Sequence, residues 1–308
     1  MTTTVSVSTE RASKRWLLTT FSALAIIVLI NLFIAWKMDV FGLLRDPHGR
    51  ALSTSNHERK AKYLLNQEYV PANFDGLIIG ASASVSWAPA YLTGYHFYNE
   101  SLEGGNATEE RILVEHAMKK GHFKVALVGL HPRITEYHEL GDGLDKATPA
   151  EALGSLNSFG IEADVLLTRL THRHRAFSPD GSHDMPVHVP TSLKPGEPTT
   201  EIWQDPQSLA DYKALISELQ QTGTRVVYVI YPTLAEFHDY NAAVMQQYRE
   251  EILKQLPPAP VVDFDGPADA AFRATRSNYI DDIHLTPQGS ITLTRMIDQR
   301  MHEVLHDR

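Results

Sequence analysis

The 308-residue chain contains no cysteine. This absence excludes disulfide bonds, thiolate-bound metal centres and a lipid anchor on an N-terminal cysteine. An excess of positive charge is also lacking, because 28 Lys and Arg stand against 37 Asp and Glu. The resulting net charge of −9 argues against a general nucleic-acid binder. Glycine-rich phosphate-binding motifs are missing as well, so nucleotide binding has no support. We expect no cofactor.

Charged residues are absent from the apolar stretch 16–36, which is about long enough to cross a bilayer once. Three basic residues within 1–15 precede it and predict a cytoplasmic N-terminus. A cleaved signal peptide is the alternative, but the apolar run is long for one and no clear small-x-small site follows Trp36. We therefore predict a cytoplasmic tail over 1–15, a single-pass anchor over 16–36 in the inner membrane, and a periplasmic remainder.

The rest of the chain is long enough for one large α/β domain, predicted over 71–308. Strands alternate with helices, which predicts a mainly parallel sheet covered on both faces. The predicted strands are 74–79, 95–98, 122–130, 225–231 and 261–264, and the predicted helices are 107–120, 206–221, 234–256 and 287–306.

Two segments lack this alternation. Residues 37–70 are predicted to form a polar stalk and a first helix, which could start at Ser53 to Asn56. Residues 132–205 are rich in His, Pro, Gly and Ser, with one helical pattern near 161–170. Because a stretch this long without regular structure is usually functional, we predict that 132–205 is an inserted lid or polymer-binding element.

A serine follows the first predicted strand, in Gly80-Ala81-Ser82. Ligands of parallel α/β sheets bind at the carboxyl ends of strands. A serine that also starts a helix can present a nucleophile together with backbone N–H groups for a developing oxyanion. The alternative is an ordinary helix N-cap, and Ser84 and Ser86 compete for any role.

A second motif, Asp281-x-x-His284, lies just before the last predicted helix. With Ser82 it completes the order Ser…Asp…His, which is the minimum set for an activated serine nucleophile. The spacing lets both side chains reach one cleft from a single loop, whereas Asp282 is predicted to be solvated or structural. The alternative is a surface acidic pair beside a chance histidine.

A third segment follows the second predicted strand. There Gly104 permits close backbone approach and could offer its N–H to an oxyanion. The alternative is a simple turn.

Taken in order, Gly-x-Ser, Asn99-x4-Gly104 and Asp-x-x-His resemble the SGNH (GDSL-type) hydrolase superfamily. The resemblance runs from about residue 74 to the C-terminus. It is greatest for the membrane-anchored branch with the teichoic-acid D-alanylation and alginate O-acetylation proteins. It implies a three-layer α/β/α sandwich with Ser82 as nucleophile, His284 as base and Asp281 as its orienting carboxylate. The amides of Ser82 and Gly104 would bind the oxyanion.

Two blocks depart from the family pattern. The usual Gly-Asp-Ser is Gly80-Ala81-Ser82 here, and the Gly-x-Asn block after the third strand is absent. At that point the chain has Gly129-Leu130-His131-Pro132. His131 could replace the missing asparagine, or the oxyanion hole could consist of backbone groups alone.

The resemblance implies periplasmic O-acetyl transfer or O-acetyl ester hydrolysis on an extracellular or cell-envelope polysaccharide, through an acyl-Ser82 intermediate. It also implies a membrane-bound O-acyltransferase as partner and requires no metal. One alternative is a non-catalytic scaffold or polysaccharide-binding protein of the same fold. Another is a zinc-dependent deacetylase that uses the insertion, whose candidate ligands are His172, His174, His183, His188, Asp180 and Asp184.

Overall fold

The computed structural model describes residues 4–52, 57–141, 144, 155–171, 178–185 and 202–306. The chain begins with helix α1 (Thr4–Met38). Its part Ala12–Met38 reaches a mean hydropathy of 2.5 and is long and apolar enough to cross a membrane once. This agrees with the predicted anchor, while the kind of membrane and the orientation remain predictions.

The centre of the domain is a sheet of five parallel strands in the order β2-β1-β3-β4-β5. The strands are β1 (Gly76–Ile79), β2 (Phe97–Asn99), β3 (Val125–Leu130), β4 (Arg225–Ile230) and β5 (Val261–Asp263). All six residues of β3 are buried, because a central parallel strand is covered on both faces. Strand order reverses between β1 and β3, and ligands of such sheets bind at this switch point.

Helices cover both faces of the sheet. They are α2 (Glu58–Leu65), α3 (Tyr69–Asn73), α4 (Ala107–Met118), α5 (Leu156–Thr171), α6 (Pro206–Gln221), α7 (Ala235–Gln255), α8 (Ala270–Ala274) and α9 (Pro287–His306). Side chains of α2, α4, α6 and α7 pack on one face of the sheet, and those of α9 pack on the other. The predicted three-layer α/β/α class, preceded by one apolar helix, is therefore confirmed.

Neighbouring residues of each strand enter opposite cores. In β3, Ala126 and Val128 belong to the core under α4 and α6, whereas Val125 and Leu127 belong to the core under α9. This follows from the two-residue repeat of a strand. It explains why these strands are continuous apolar runs in the sequence.

Several residues of the segment 37–70, which is predicted to form a polar stalk and a first helix, pack on the domain. Val40 and Phe41 are buried in the core beside Leu64 of α2, because the apolar residues of the segment find partners there. The predicted helix start at Ser53 to Asn56 lies outside the described residues. The predicted domain limits stay predictions.

Two described parts of the insertion 132–205 lie on the domain. Helix α5 contributes Ile161 and Val165 to the core. The segment 178–185 runs along the end of β2, where the Asn99 N–H donates to the Asp180 carbonyl oxygen at 2.7 Å. The role of the insertion as a lid or polymer-binding element stays a prediction.

Candidate active site

Ser82 lies on a tight turn at the carboxyl end of β1. The chain leaves β1 through Gly80 and enters a 3-10 turn over Ser82–Ser84. A Cβ atom on Gly80 would lie 2.5 Å from both Ser84 Oγ and the Tyr231 hydroxyl. No other residue fits there without displacing its neighbours, and this close packing fixes the position of Ser82.

The competing serines are both buried. Ser84 is fully buried, and its Oγ lies 2.7 Å from Ser101 Oγ and 2.9 Å from the Ala81 carbonyl oxygen. Ser86 is buried, and its carbonyl oxygen accepts from the Ser290 hydroxyl. Ser82 is half-buried, so it is the serine of the turn that a substrate can reach.

His284 lies on a loop that Asp281 closes. One carboxylate oxygen, Asp281 Oδ1, accepts the backbone N–H groups of Ile283 at 3.0 Å and of His284 at 2.7 Å. The Ile280 N–H donates to the His284 carbonyl oxygen at 2.8 Å. The carboxylate therefore shapes the loop that carries the histidine, and the loop delivers His284 just before α9.

The structure brings the three predicted residues into one hydrogen-bonded chain. Asp281 Oδ2 lies 2.7 Å from His284 Nδ1, and His284 Nε2 lies 2.8 Å from Ser82 Oγ. A carboxylate can only accept, so the proton of the neutral ring sits on Nδ1 and Nε2 is free to accept the serine proton. This is the geometry of a nucleophile, a general base and an orienting carboxylate.

The charges of the loop shift the pKa values of Asp281 and His284 in opposite directions. Burial works to raise the pKa of Asp281, but hydrogen bonds from the His284 ring and from two backbone N–H groups outweigh it and leave the pKa lowered. Burial works to lower the pKa of His284, but the hydrogen bond and charge of Asp281, with the charges of Asp282 and Glu103, leave it raised. The pair therefore favours an imidazolium next to a carboxylate, which is the state formed when Ser82 gives up its proton.

The predicted oxyanion donors lie on the turn of Ser82 and the loop after β2. Gly104 has a φ of +56°, a conformation that favours glycine. Within the described part of the chain, the N–H groups of Ser82 and Gly104 donate to no protein acceptor. The Leu102 N–H donates to the Gly80 carbonyl oxygen at 3.0 Å, which holds this loop beside the turn. The roles of Ser82 and Gly104 as oxyanion donors stay predictions.

Asn99 ties the two loops together. Its Nδ2 donates to the carbonyl oxygens of Ser84 at 2.8 Å and Trp87 at 3.1 Å, and its Oδ1 accepts the Ser101 N–H at 3.0 Å. The side chain is fully buried, so without it these backbone groups would lose a hydrogen-bond partner that water cannot easily replace. In the sequence Asn99 is visible only as part of a pattern, although its place directly after a predicted strand indicates a structural role.

Charged side chains of α2 hold the Gly104 loop from behind. Arg59 Nη2 donates to the Glu103 and Gly104 carbonyl oxygens at 3.1 Å each. Lys62, which is fully buried, donates to the Ser101 carbonyl oxygen and pairs with Glu58 at 3.1 Å. These residues were not predicted from the sequence, because a Glu58-Lys62 pair spaced one helical turn apart is typical of an exposed helix surface.

His131 lies at the end of β3, in the place of the missing asparagine. Its Nδ1 accepts the Arg133 N–H at 3.2 Å, so the proton of the neutral ring is on Nε2. Burial, helped by the charges of His284 and Arg133, lowers the pKa of His131 to about 4. The ring is therefore neutral at physiological pH and has one N–H to donate.

A cavity of about 240 Å³ adjoins the loop of His284. Its wall combines apolar, aromatic and charged side chains. The lining residues are His131, Pro132, Arg133, Glu136, Ile202, Trp203, Thr233, Phe237, His238, Asn241, Val244, Met245, Asp282 and Ile283. The neighbours of His284 in sequence, Asp282 and Ile283, form part of this wall, so the cavity lies beside the loop that carries His284.

The candidate metal ligands of the insertion are only partly described. His183 Nε2 lies 3.0 Å from Glu103 Oε1, and this hydrogen bond is the main reason why the pKa of Glu103 is lowered. Over the described ranges, no group of three or more His, Asp and Glu side chains could hold a metal ion. His172, His174 and His188 lie outside the described residues.

Comparisons with known proteins add little to this geometry. No family model and no curated protein matches the chain. One similar solved structure is a protein described as a platelet activating factor from Streptococcus pneumonia, with 12% identity, a TM-score of 0.46, and coverage of 80% of this chain and 92% of that one. A second is a GDSL-like lipase from Bacteroides thetaiotaomicron, with 10% identity, a TM-score of 0.42, and coverage of 81% and 98% of the two chains. A third is a protein described as an acylhydrolase from Bacteroides fragilis, with 11% identity, a TM-score of 0.43, and coverage of 82% and 98%. All three TM-scores lie below 0.5, so the fold class of the chain is assigned from its own strand order and packing.

Proposed function

We propose that the protein is a serine-dependent acyl-transfer enzyme of SGNH type. The observation that carries this proposal is the hydrogen-bonded chain from Asp281 through His284 to Ser82, at 2.7 and 2.8 Å. Its place at the switch point of a parallel sheet supports the same conclusion, because active sites of such sheets lie there.

In the proposed reaction each of these residues has one role. Ser82 Oγ attacks the acyl carbonyl carbon while His284 Nε2 takes the hydroxyl proton. The oxyanion is bound by the N–H groups of Ser82 and Gly104 and by His131 Nε2–H, which replaces the missing amide of the family. The tetrahedral intermediate expels the alcohol, which receives the proton from His284. The acyl-Ser82 ester is then attacked by water or by an acceptor hydroxyl, with His284 again as base.

We propose an acetyl group as the acyl group and an extracellular or cell-envelope polysaccharide as the substrate. The side chains that line the cavity beside the His284 loop are of the kinds that bind sugars, which supports this proposal. Trp203 and Phe237 provide aromatic faces, and Arg133 and Glu136 provide groups that pair with hydroxyls. We also propose a periplasmic domain, an anchor in the inner membrane with the N-terminus in the cytoplasm, and a membrane-bound O-acyltransferase as partner.

Whether the enzyme hydrolyses or transfers depends on which nucleophile reaches acyl-Ser82. The test uses the full chain in detergent micelles with p-nitrophenyl acetate, with and without added oligosaccharide. We expect nitrophenol release that Ser82→Ala reduces by about 10⁴-fold or more. Acetylated sugar would identify a transferase, and free acetate alone would identify an esterase. Equal turnover by the wild type and a folded Ser82→Ala variant would refute the proposal and favour the non-catalytic scaffold.

A further inference from the structure

Helix α5 of the insertion has three distinct faces. One face is buried in the domain through Ser158, Ile161 and Val165. A second face is polar and includes the exposed Asn157. An ordinary surface helix has only these two, so the third face of α5 requires an explanation.

The third face is an exposed apolar stripe. It consists of Phe159, Ala163, Leu166, Leu167 and Leu170, which recur at the i, i+4, i+7, i+8, i+11 spacing of one helix side. Leu170 is 72% exposed, Leu167 is 52% exposed, and Phe159 and Leu166 are each 40% exposed. A continuous apolar stripe of this kind marks a surface that meets a protein or a membrane.

The neighbour of α5 indicates which of these it meets. Helix α5 packs against α1, the helix that can span a membrane. The covered positions of α1 lie near its C-terminal end, at Asn31, Ile34, Ala35 and Met38, on one side of the helix. Because Ala12–Met38 is about 40 Å long and a bilayer core is about 30 Å thick, this end of α1 lies at the membrane–water interface.

We propose that α5 is an interfacial membrane helix, with its stripe facing the acyl chains of the leaflet on the domain side. The lipid that surrounds α1 continues onto the stripe, which carries no charged side chain. The domain would then have two attachments to the bilayer, and together they fix its rotation about α1.

The absence of cysteine makes a direct test possible in the full chain. Single variants Leu167→Cys and Leu170→Cys place a nitroxide label on the stripe, and Asn157→Cys places it on the polar face of the same helix. Leu24→Cys labels the middle of α1 as the lipid reference. Each variant is reconstituted at low density in vesicles of phosphatidylcholine and phosphatidylglycerol. Collision rates with oxygen, which concentrates in lipid, and with a water-soluble nickel chelate are then measured by electron paramagnetic resonance.

We expect labels at Leu167 and Leu170 to collide with oxygen several-fold more than with nickel, as the label at Leu24 does, and the label at Asn157 to show the reverse. Nickel access at Leu167 and Leu170 equal to that at Asn157 would overturn the proposal. Exclusion of both reagents would also overturn it, in favour of a protein partner. Each variant must give a circular dichroism spectrum that matches the wild type. The labels at Leu167 and Leu170 must also give the same result.

Discussion

The Asp281→Asn variant tests the orientation of the catalytic base. Oδ1 of this side chain accepts two backbone N–H groups, from Ile283 and His284. In the variant only the amide oxygen can accept them, so the amide NH2 group faces His284 Nδ1. That nitrogen must then accept, the ring proton moves to Nε2, and Nε2 can no longer take the proton of Ser82. We expect kcat to fall by about 10⁴, which corresponds to roughly 5 kcal/mol, in a protein that stays folded.

The same variant has a predicted pH dependence. His284 must be neutral to accept a proton, so activity rises with pH through the pKa of His284. Asp281 is the main group that raises this pKa. Removing its charge lowers the pKa of His284, so the acidic limb of the residual activity shifts to lower pH.

The assay is ester turnover by the full chain from pH 5 to 9, with Asp282→Asn as the matched control. Asp282 carries the same charge beside His284, but within the described structure it makes no hydrogen bond to the ring. We expect Asp282→Asn to lose no more than about tenfold, which is the effect of one pKa unit. Equal losses in the two variants, or an Asp281→Asn variant that keeps a tenth of the activity, would show that Asp281 does not orient the His284 ring.

Three further changes test other parts of the account. His131→Ala should lower kcat by about 10²–10³ through loss of an oxyanion donor, with little change in KM, and His131→Asn should recover most of it. Gly80→Ala should reduce the free energy of unfolding, measured by chemical denaturation, by about 1–3 kcal/mol, because the new methyl group would crowd Ser84 and Tyr231. Gly160→Ala is the control: a Cβ atom there meets nothing within 4 Å, so this variant should raise the free energy of unfolding by about 0.5–1 kcal/mol. Burial, opposed by the charge of Lys62, raises the pKa of Glu100 from 4.5 to about 8. Between these two pH values the folded state keeps a proton that the unfolded state loses, so stability falls as the pH rises from 4.5 to about 8. Glu100→Gln should reduce that fall in Tm between pH 5 and 9, and the part that stays is expected from Glu110 and Glu162, whose pKa values burial also raises.

Each of these outcomes has a contrary result. Failure of His131→Asn to restore kcat would assign His131 a purely structural role. A Gly80→Ala variant as stable as the wild type would show that the turn can shift, and an unchanged Tm profile in Glu100→Gln would show that Glu100 is not the group that titrates.

The layered fold was predictable because its strands are buried on both faces and are therefore continuous apolar runs. The last helix was predicted with its observed bounds, Pro287–His306, because Thr286-Pro287 is a strong local start signal. The first strand was predicted from residue 74 but begins at Gly76. Strand limits depend on pairing with β2 and β3, which the sequence of β1 alone does not specify.

The candidate triad was predictable because catalytic groups gather at the carboxyl ends of parallel strands. Ser82 follows β1 directly, and His284 lies on a loop that its own Asp281 closes. The supporting residues were not predictable, because their roles depend on burial. Nothing in the sequence of α2 distinguishes the fully buried Lys62 from a solvated lysine, and the apolar stripe of α5 becomes visible only once its other face is known to be buried.

Detection of acyl-Ser82 would be the most direct test of the proposed mechanism. The full chain in detergent micelles would be mixed with an activated acetyl ester, quenched in acid within milliseconds to seconds, and its peptides analysed by mass spectrometry. The account predicts one acetyl group on the peptide that contains Ser82, at the serine itself, and its absence in His284→Ala. Ester turnover with no acetyl group on Ser82, or with the label on another residue of the folded protein, would contradict the account.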